Sequence, residues 1–184
     1  MSRRIVPSPG RLLVSVIYHD EKRFAEAASA VRERLGPTEK ESEAFPFNFT
    51  EYYEKEMGSP LYRKFLVMDG LVARETLAAS KLAAEELENR FSAGGKRTVN
   101  IDPGLLTEEN FILATGKNYS HRIYLRDGVF ADLTLLYRKG EFQPLPWTYP
   151  DLASDGIRKY LGTIRAELRE ARRSGDGRAK CGSA

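Results

Sequence analysis

Apolar positions along the chain fall into a few short runs and periodic stretches. Arg11-Leu-Leu-Val-Ser-Val-Ile-Tyr18 is apolar and rich in β-branched residues, which predicts a buried central strand. Asp20 can cap a helix in which Phe24, Ala27, Ala28, Val31 and Leu35 recur at helical spacing, and Gly36-Pro37 ends it. Residues 38–60 hold no sustained period and read as a long loop. Within it Phe45, Phe47, Phe49, Tyr52 and Tyr53 place five rings in nine residues, and a long aromatic loop is often functional.

Leu61-Tyr-Arg-Lys-Phe-Leu-Val-Met68 predicts a second strand, and Asp69 a cap for a helix reaching about residue 91. Ala73, Leu77, Ala84, Leu87 and Phe91 lie on one stripe of that helix, interrupted by Lys81, and Gly94-Gly95 is its expected stop. Lys96 to Ile101 and Phe111 to Thr115 read as strands, with Asp102-Pro-Gly104 as a turn after the first of them.

The clearest local element is a hairpin from His121 to Arg138. A two-residue Asp127-Gly128 turn would set Arg122 opposite Leu133 and Ile123 opposite Asp132. A three-residue loop, Arg126-Asp-Gly128, instead pairs Leu125 with Val129, Ile123 with Ala131, Arg122 with Asp132 and His121 with Leu133, and is favoured because like meets like. It puts Arg122, Tyr124, Phe130, Asp132 and Thr134 on one polar face. Three prolines between Gly140 and Asp151 favour an extended strap over the body. Ile157, Tyr160, Leu161, Ile164 and Leu168 mark a third amphipathic helix, with Ser154 or Asp155 as cap. The expected fold is therefore a single α+β domain over residues 9–171. It has a mixed or mainly antiparallel sheet of five or six strands and three amphipathic helices, with a flexible start (1–8) and a disordered basic tail (172–184).

Composition adds bounds. The 184 residues are 41% hydrophobic and 30% charged, enough to bury one core. The formal charge of +3 is unevenly spread: eight cations against three anions after residue 156 leave +5 there and −2 in residues 1–156. A solvated helix face and tail explain that better than nucleic-acid docking, because the interleaved aromatics of single-strand binders are missing there. Cys181 alone can form no internal disulfide or Cys-rich zinc site, and no apolar run approaches a membrane span or a signal peptide. A cytoplasmic protein with no membrane partner is the expectation.

Four strings taken together carry a likeness: Phe45-Pro-Phe-Asn-Phe-Thr-Glu-Tyr-Tyr-Glu-Lys-Glu-Met-Gly58, Val99-Asn-Ile-Asp-Pro-Gly104, His121-Arg-Ile-Tyr-Leu125 and Phe142-Gln-Pro-Leu-Pro-Trp-Thr-Tyr-Pro-Asp151. Over roughly residues 9–170 the chain resembles the uncharacterised prokaryotic domain-of-unknown-function family numbered forty-four sixteen. The resemblance implies a small cytosolic prokaryotic protein and lends no activity, cofactor or catalytic residue. Some members carry a GTP-binding label, which the residues here oppose. Gly94-Gly-Lys-Arg-Thr98 has Arg90 where a phosphate loop needs its first Gly, and Arg97 where it needs Ser or Thr. The guanine-reading Asn-Lys-x-Asp pattern and G-x-G-x-x-G are absent too.

Several residues could carry chemistry. Arg97, Lys117 and Arg122 stand near strand ends and could receive a phosphate or carboxylate, although an Arg122–Asp132 ion pair is the plainer reading. Tyr124 shares the face of Arg122. Tyr52, Tyr53 and Glu56 could form a lid, and Trp147 and Tyr149 either line a pocket or pin the strap. Asp102, Glu56 and His121 are the candidates for acid–base catalysis, with a backbone-bonded His121 as the structural alternative and a capping or surface role for His19. Two histidines are too few for a three-His metal centre, so no metal is expected. A mixed site would need Asp102, Asp132 or Glu56. No motif names a cofactor. The leading expectation is a binding protein or small enzyme for an anionic small molecule. The alternatives are a noncatalytic module docking a protein through the aromatic loop and strap, and a carboxylate/His hydrolase.

Overall fold

A computed structural model describes residues 3–49 and 53–174, so Tyr52 and most of the expected tail lie outside it. Strand β1 (Arg11–Tyr18) is buried along its whole length. It pairs antiparallel with β4 (Tyr62–Met68) on one side and β7 (Val99–Leu106) on the other, which makes it the centre of the sheet. Helix α1 (Glu21–Leu35) begins where Asp20 accepts a hydrogen bond from the Lys22 N–H and stops at Gly36, as the spacing predicts. The segment expected as a long loop is instead partly ordered into β2 (Thr38–Glu41), β3 (Phe45–Pro46) and the single-turn helix α2 (Glu54–Met57). β2 and β3 pair in succession with the outer edge of β4, so pairing rather than apolar alternation makes them strands.

Asp69 does not cap the next helix. Gly70 turns the chain at φ 77°, Val72 bridges to Gly10, and α3 starts only at Thr76 and runs to Arg90. Nor do Gly94 and Gly95 stop that helix. At φ 59° and 77° they form the turn of a small hairpin between β5 (Ser92–Ala93) and β6 (Lys96–Arg97). Asp102-Pro-Gly104 is not a turn but the middle of β7. Gly104 is needed there for close approach, since a Cβ would lie 2.6 Å from the Phe111 ring. β8 (Asn110–Thr115) pairs with β7 only at Gly104–Leu106. Pro103, which has no N–H for a ladder, stands where the two strands part.

β9 (Arg122–Arg126) and β10 (Val129–Arg138) form the expected hairpin with features of both registers weighed above. Asp127 and Gly128, at φ 51° and 76°, make a two-residue turn that pairs Arg126 with Val129. A bulge then shifts the strands to Tyr124–Phe130, Ile123–Ala131 and Arg122–Asp132. His121 is not paired with Leu133, and Ile123 and Leu125 are exposed rather than half-buried. β11 (Glu141–Pro144) continues along the same edge of β10 below β9. Among the described residues the main sheet has nine strands, all antiparallel, in the path β11-β10-β8-β7-β1-β4-β2, with β9 on β10 and β3 on β4. Among the described residues four helices, not three, accompany it.

Side-chain alternation along β1 splits the core. Leu12, Val14, Val16 and Tyr18 pack with α1 and α3, while Leu13 faces the opposite layer. That layer is α4 (Asp155–Arg173), which buries Ile157, Leu161, Ile164 and Leu168 fully, at roughly 2 kcal/mol each. α4 continues past Ala171, and Arg172 donates to Glu108 Oε1 at 2.7 Å and to the Pro9 carbonyl, tying the start of the chain to the last helix.

Candidate functional site

The parting of β7 from β8 opens a cleft of about 440 Å³ on the α4 side of the sheet. Its floor is charged. Asp102 Oδ1 accepts from Lys81 Nζ at 3.1 Å, and Oδ2 accepts from the Asn100 amide. Glu88, about two helical turns beyond Lys81 on α3, accepts the Ile101 N–H at 2.6 Å. Burial works against ionised Asp102, yet the nearby Lys81 and Arg63 charges with the Asn100 and Lys81 hydrogen bonds outweigh it, and the carboxyl stays below its ordinary range. Burial also works against the Lys81 charge, but Asp102 and Glu88 hold the ammonium above its usual value. Glu88 goes the other way: burial, reinforced by Asp102, pushes it up to about 7 despite the Lys81 charge.

The far wall holds a second buried pair. Arg63 of β4 and Asp151 after the strap touch at 2.6 Å with side chains 5% and 3% exposed. The Arg63 Nε–H is not aligned for a hydrogen bond there, so this is a charge contact, and Nη1 donates instead to Ser15 Oγ. Phe47, Phe49, Tyr53 and Tyr149 line the cleft, and the Arg63 guanidinium lies 5.3 Å over the Phe47 ring. Thr115, Gly116 and the exposed Lys117, just past the end of β8, also line it.

The sequence candidates divide. Asp102, Arg97, Lys117, Tyr53 and Tyr149 line this one cleft. Glu56 stands behind it and clasps Arg97, accepting Nε at 3.1 Å, Nη2 at 2.9 Å and the backbone N–H at 3.0 Å. Those hydrogen bonds lower the Glu56 pKa and raise that of Arg97. Arg122 forms the ion pair with Asp132, donating Nε at 2.9 Å, while Nη1 donates to the Lys117 carbonyl and Nη2 to the Tyr149 hydroxyl. It braces the cleft wall through Asp132, which faces the cavity. His121 donates to the same Asp132 oxygen at 3.3 Å and stacks on Trp147 at 4.7 Å, and the Trp147 indole N–H donates to the Leu133 carbonyl. His121 therefore meets Asp132, not Asp102, and Trp147 pins the strap. Tyr124 lies on the outer edge against Phe130, and His19 donates to the Pro60 carbonyl. No group of three or more His, Cys, Asp or Glu suited to a metal occurs among the described residues.

Sequence reasoning missed Arg63, Glu88, Asn100 and Asp151. Lys81 did leave a signal, because it breaks the apolar stripe of α3 and is the residue that reaches Asp102 through the gap. No helix of the described residues is long and apolar enough to cross a membrane. No curated protein and no solved structure matches the chain. A family model described as a domain of unknown function, DUF4416, matches residues 8–168. The match spans the nine-stranded sheet, the cleft and the first 14 of the 19 residues of α4, and the chain belongs to that family.

Proposed function

We propose that the cleft binds a small ring-bearing molecule whose hydrogen-bonding groups reach the Asp102 floor and whose anionic substituent faces Lys117 at the mouth. The observation that carries this reading is the convergence of a part-buried Lys81–Asp102–Glu88 floor with rings of Phe47, Tyr53 and Tyr149 in one cavity. Holding charges in a partly dry recess costs stability, and pockets that combine apolar walls with a few convergent polar groups are the usual form of small-molecule sites. Lys117 lines the cleft and is exposed just past the end of β8, so the anionic end is assigned to it. Glu88, exchanging its proton near neutrality, would give the site acid–base capacity should it be an enzyme.

The test is a thermal-shift screen of the full chain with nucleotides, sugar phosphates and acyl carboxylates, followed by titration calorimetry on the hits. The expected hit loses at least about tenfold in affinity, or about 1.4 kcal/mol, in both Asp102→Asn and Lys117→Ala and is unchanged in Tyr124→Ala. A screen without a hit, or hits indifferent to Asp102 and Lys117, overturns the reading.

A further inference from the structure

One buried amide on the cleft floor stands between a group that can only donate and a group that can only accept. Asn100 and Asp102 are two residues apart on β7, so their side chains leave the strand on the same face. Asn100 is 3% exposed; its Oδ1 accepts from Arg97 Nη1 at 3.1 Å, and its Nδ2 donates to Asp102 Oδ2. A guanidinium has no acceptor and an ionised carboxylate has no donor. Only one orientation of the amide therefore pairs both of its ends. The flipped amide would set donor against Arg97 and acceptor against Asp102, leaving buried polar groups unpaired.

Arg97 is itself held firmly. Its Nε and Nη2 form a fork on the Glu56 carboxylate of α2, at 3.1 and 2.9 Å, and its backbone N–H adds a third bond to Glu56 at 3.0 Å. The fork leaves Nη1 to meet Asn100. The guanidinium also lies 5.5 Å from the centre of the Tyr53 ring, so one side chain joins an aromatic wall of the cleft to its floor.

We infer that Arg97 is the positioning residue of the cleft: acting through the Asn100 amide, it fixes the Asp102 carboxylate in the attitude that it presents to the cavity. Lys81 holds the other Asp102 oxygen from α3, so the carboxylate is gripped from two sides. What Asp102 receives there rests on the function proposed for the cleft. The role calls for arginine in particular. A planar fork holds Glu56 by one edge and Asn100 by its remaining nitrogen, whereas a lysine keeps the charge but is a single point on a flexible stem and cannot hold both partners in that geometry.

The test follows the Asp102 carboxyl and the Asn100 side-chain amide by NMR in the full chain, with no ligand added. Burial works against ionised Asp102, and the charges of Lys81 and Arg63 with the Asn100 and Lys81 hydrogen bonds offset it. Glu88 and Tyr53 are the titratable groups that feel the Asp102 charge in turn. Arg97→Lys leaves every one of these groups in place and keeps its own positive charge. It is expected to move the Asp102 titration midpoint up and to speed exchange of the Asn100 side-chain N–H pair with solvent. Asn100→Leu also moves the midpoint up, and adding Arg97→Lys moves it no further, because a residue that acts through the amide has nothing to act on once the amide is gone. An unmoved midpoint in Arg97→Lys overturns the inference, as does an amide that exchanges as in the wild type. Additive shifts in the double variant overturn it too, since Arg97 would then act on Asp102 directly or merely staple α2 to β6. The first two results need only Arg97→Lys, at a side chain 28% exposed, and decide the matter even if Asn100→Leu does not fold. A screen without a ligand would overturn the binding reading and leave these readouts unchanged, so the two fail separately.

Discussion

Glu88 offers the most direct test of the cleft's electrostatics. Its carboxyl is 8% exposed and rises from 4.5 to about 7, burial being the chief cause. The folded protein then holds a proton between those values that the unfolded chain has released, so stability falls as pH rises through that window and levels off above about 7. At about 1.4 kcal/mol per unit, ionised Glu88 costs the fold roughly 3 kcal/mol, of which about 2 kcal/mol is lost between about pH 5.5 and about pH 8. Glu88→Gln keeps an oxygen for the Ile101 N–H, which now sits 2.6 Å from the carboxylate, and stands in for the protonated form. Urea unfolding at a series of pH values should show the wild type losing stability across the window. The variant should stay nearly level and exceed the wild type at the alkaline end. Asp102 and Glu56, with lowered values, contribute only in more acidic solution. A wild type without slope, or a slope that survives Glu88→Gln, would refute the reasoning.

Two further outcomes follow from packing and charge. Gly104→Ala puts a methyl 2.6 Å from Phe111 and should cost about 1–3 kcal/mol in urea unfolding, with Phe111→Leu recovering part of the loss, whereas independent, additive effects would show that Gly104 is not held by that ring. Asp151→Asn leaves Arg63 charged and unpaired in a site 5% exposed and should cost about 3–5 kcal/mol, while the double variant Arg63→Met/Asp151→Leu should cost much less than the two single changes together; simple additivity would deny the pair.

Much of the fold was legible because periodicity reports burial. The apolar run of β1, the capped period of α1 and the stripe of α4 each answer to a buried face, and each lies where the spacing predicts. Where sequence reasoning missed, a residue had two uses and tertiary context chose between them. Pro103 and Gly104 suit a turn, yet one stands where β7 leaves its neighbour and the other makes room for Phe111. Gly94-Gly95 can end a helix or turn a hairpin, and α3 had already ended at Arg90. Thr38-Glu-Lys-Glu41 has no strand pattern of its own and becomes one against β4. In the site, Asp102, Arg97 and Lys117 carried a signal as charges near strand ends. Arg63 and Asp151 did not, since their pairing joins β4 to a segment 88 residues away in sequence.

The central place of β1 has a consequence for synthesis. β1 is made first among the strands, but its partners come late: Tyr18 meets Tyr62, and Arg11 meets Leu106. Until β7 has left the ribosome, the run Leu12-Leu-Val-Ser-Val-Ile17 has no complete pair of neighbours, although all of it ends up buried. The hairpins that follow β7 close locally and quickly, whereas the middle of the sheet waits on the most distant contacts. In the nascent chain, the stretch most prone to sticking to other chains is thus the one destined for the protein's centre.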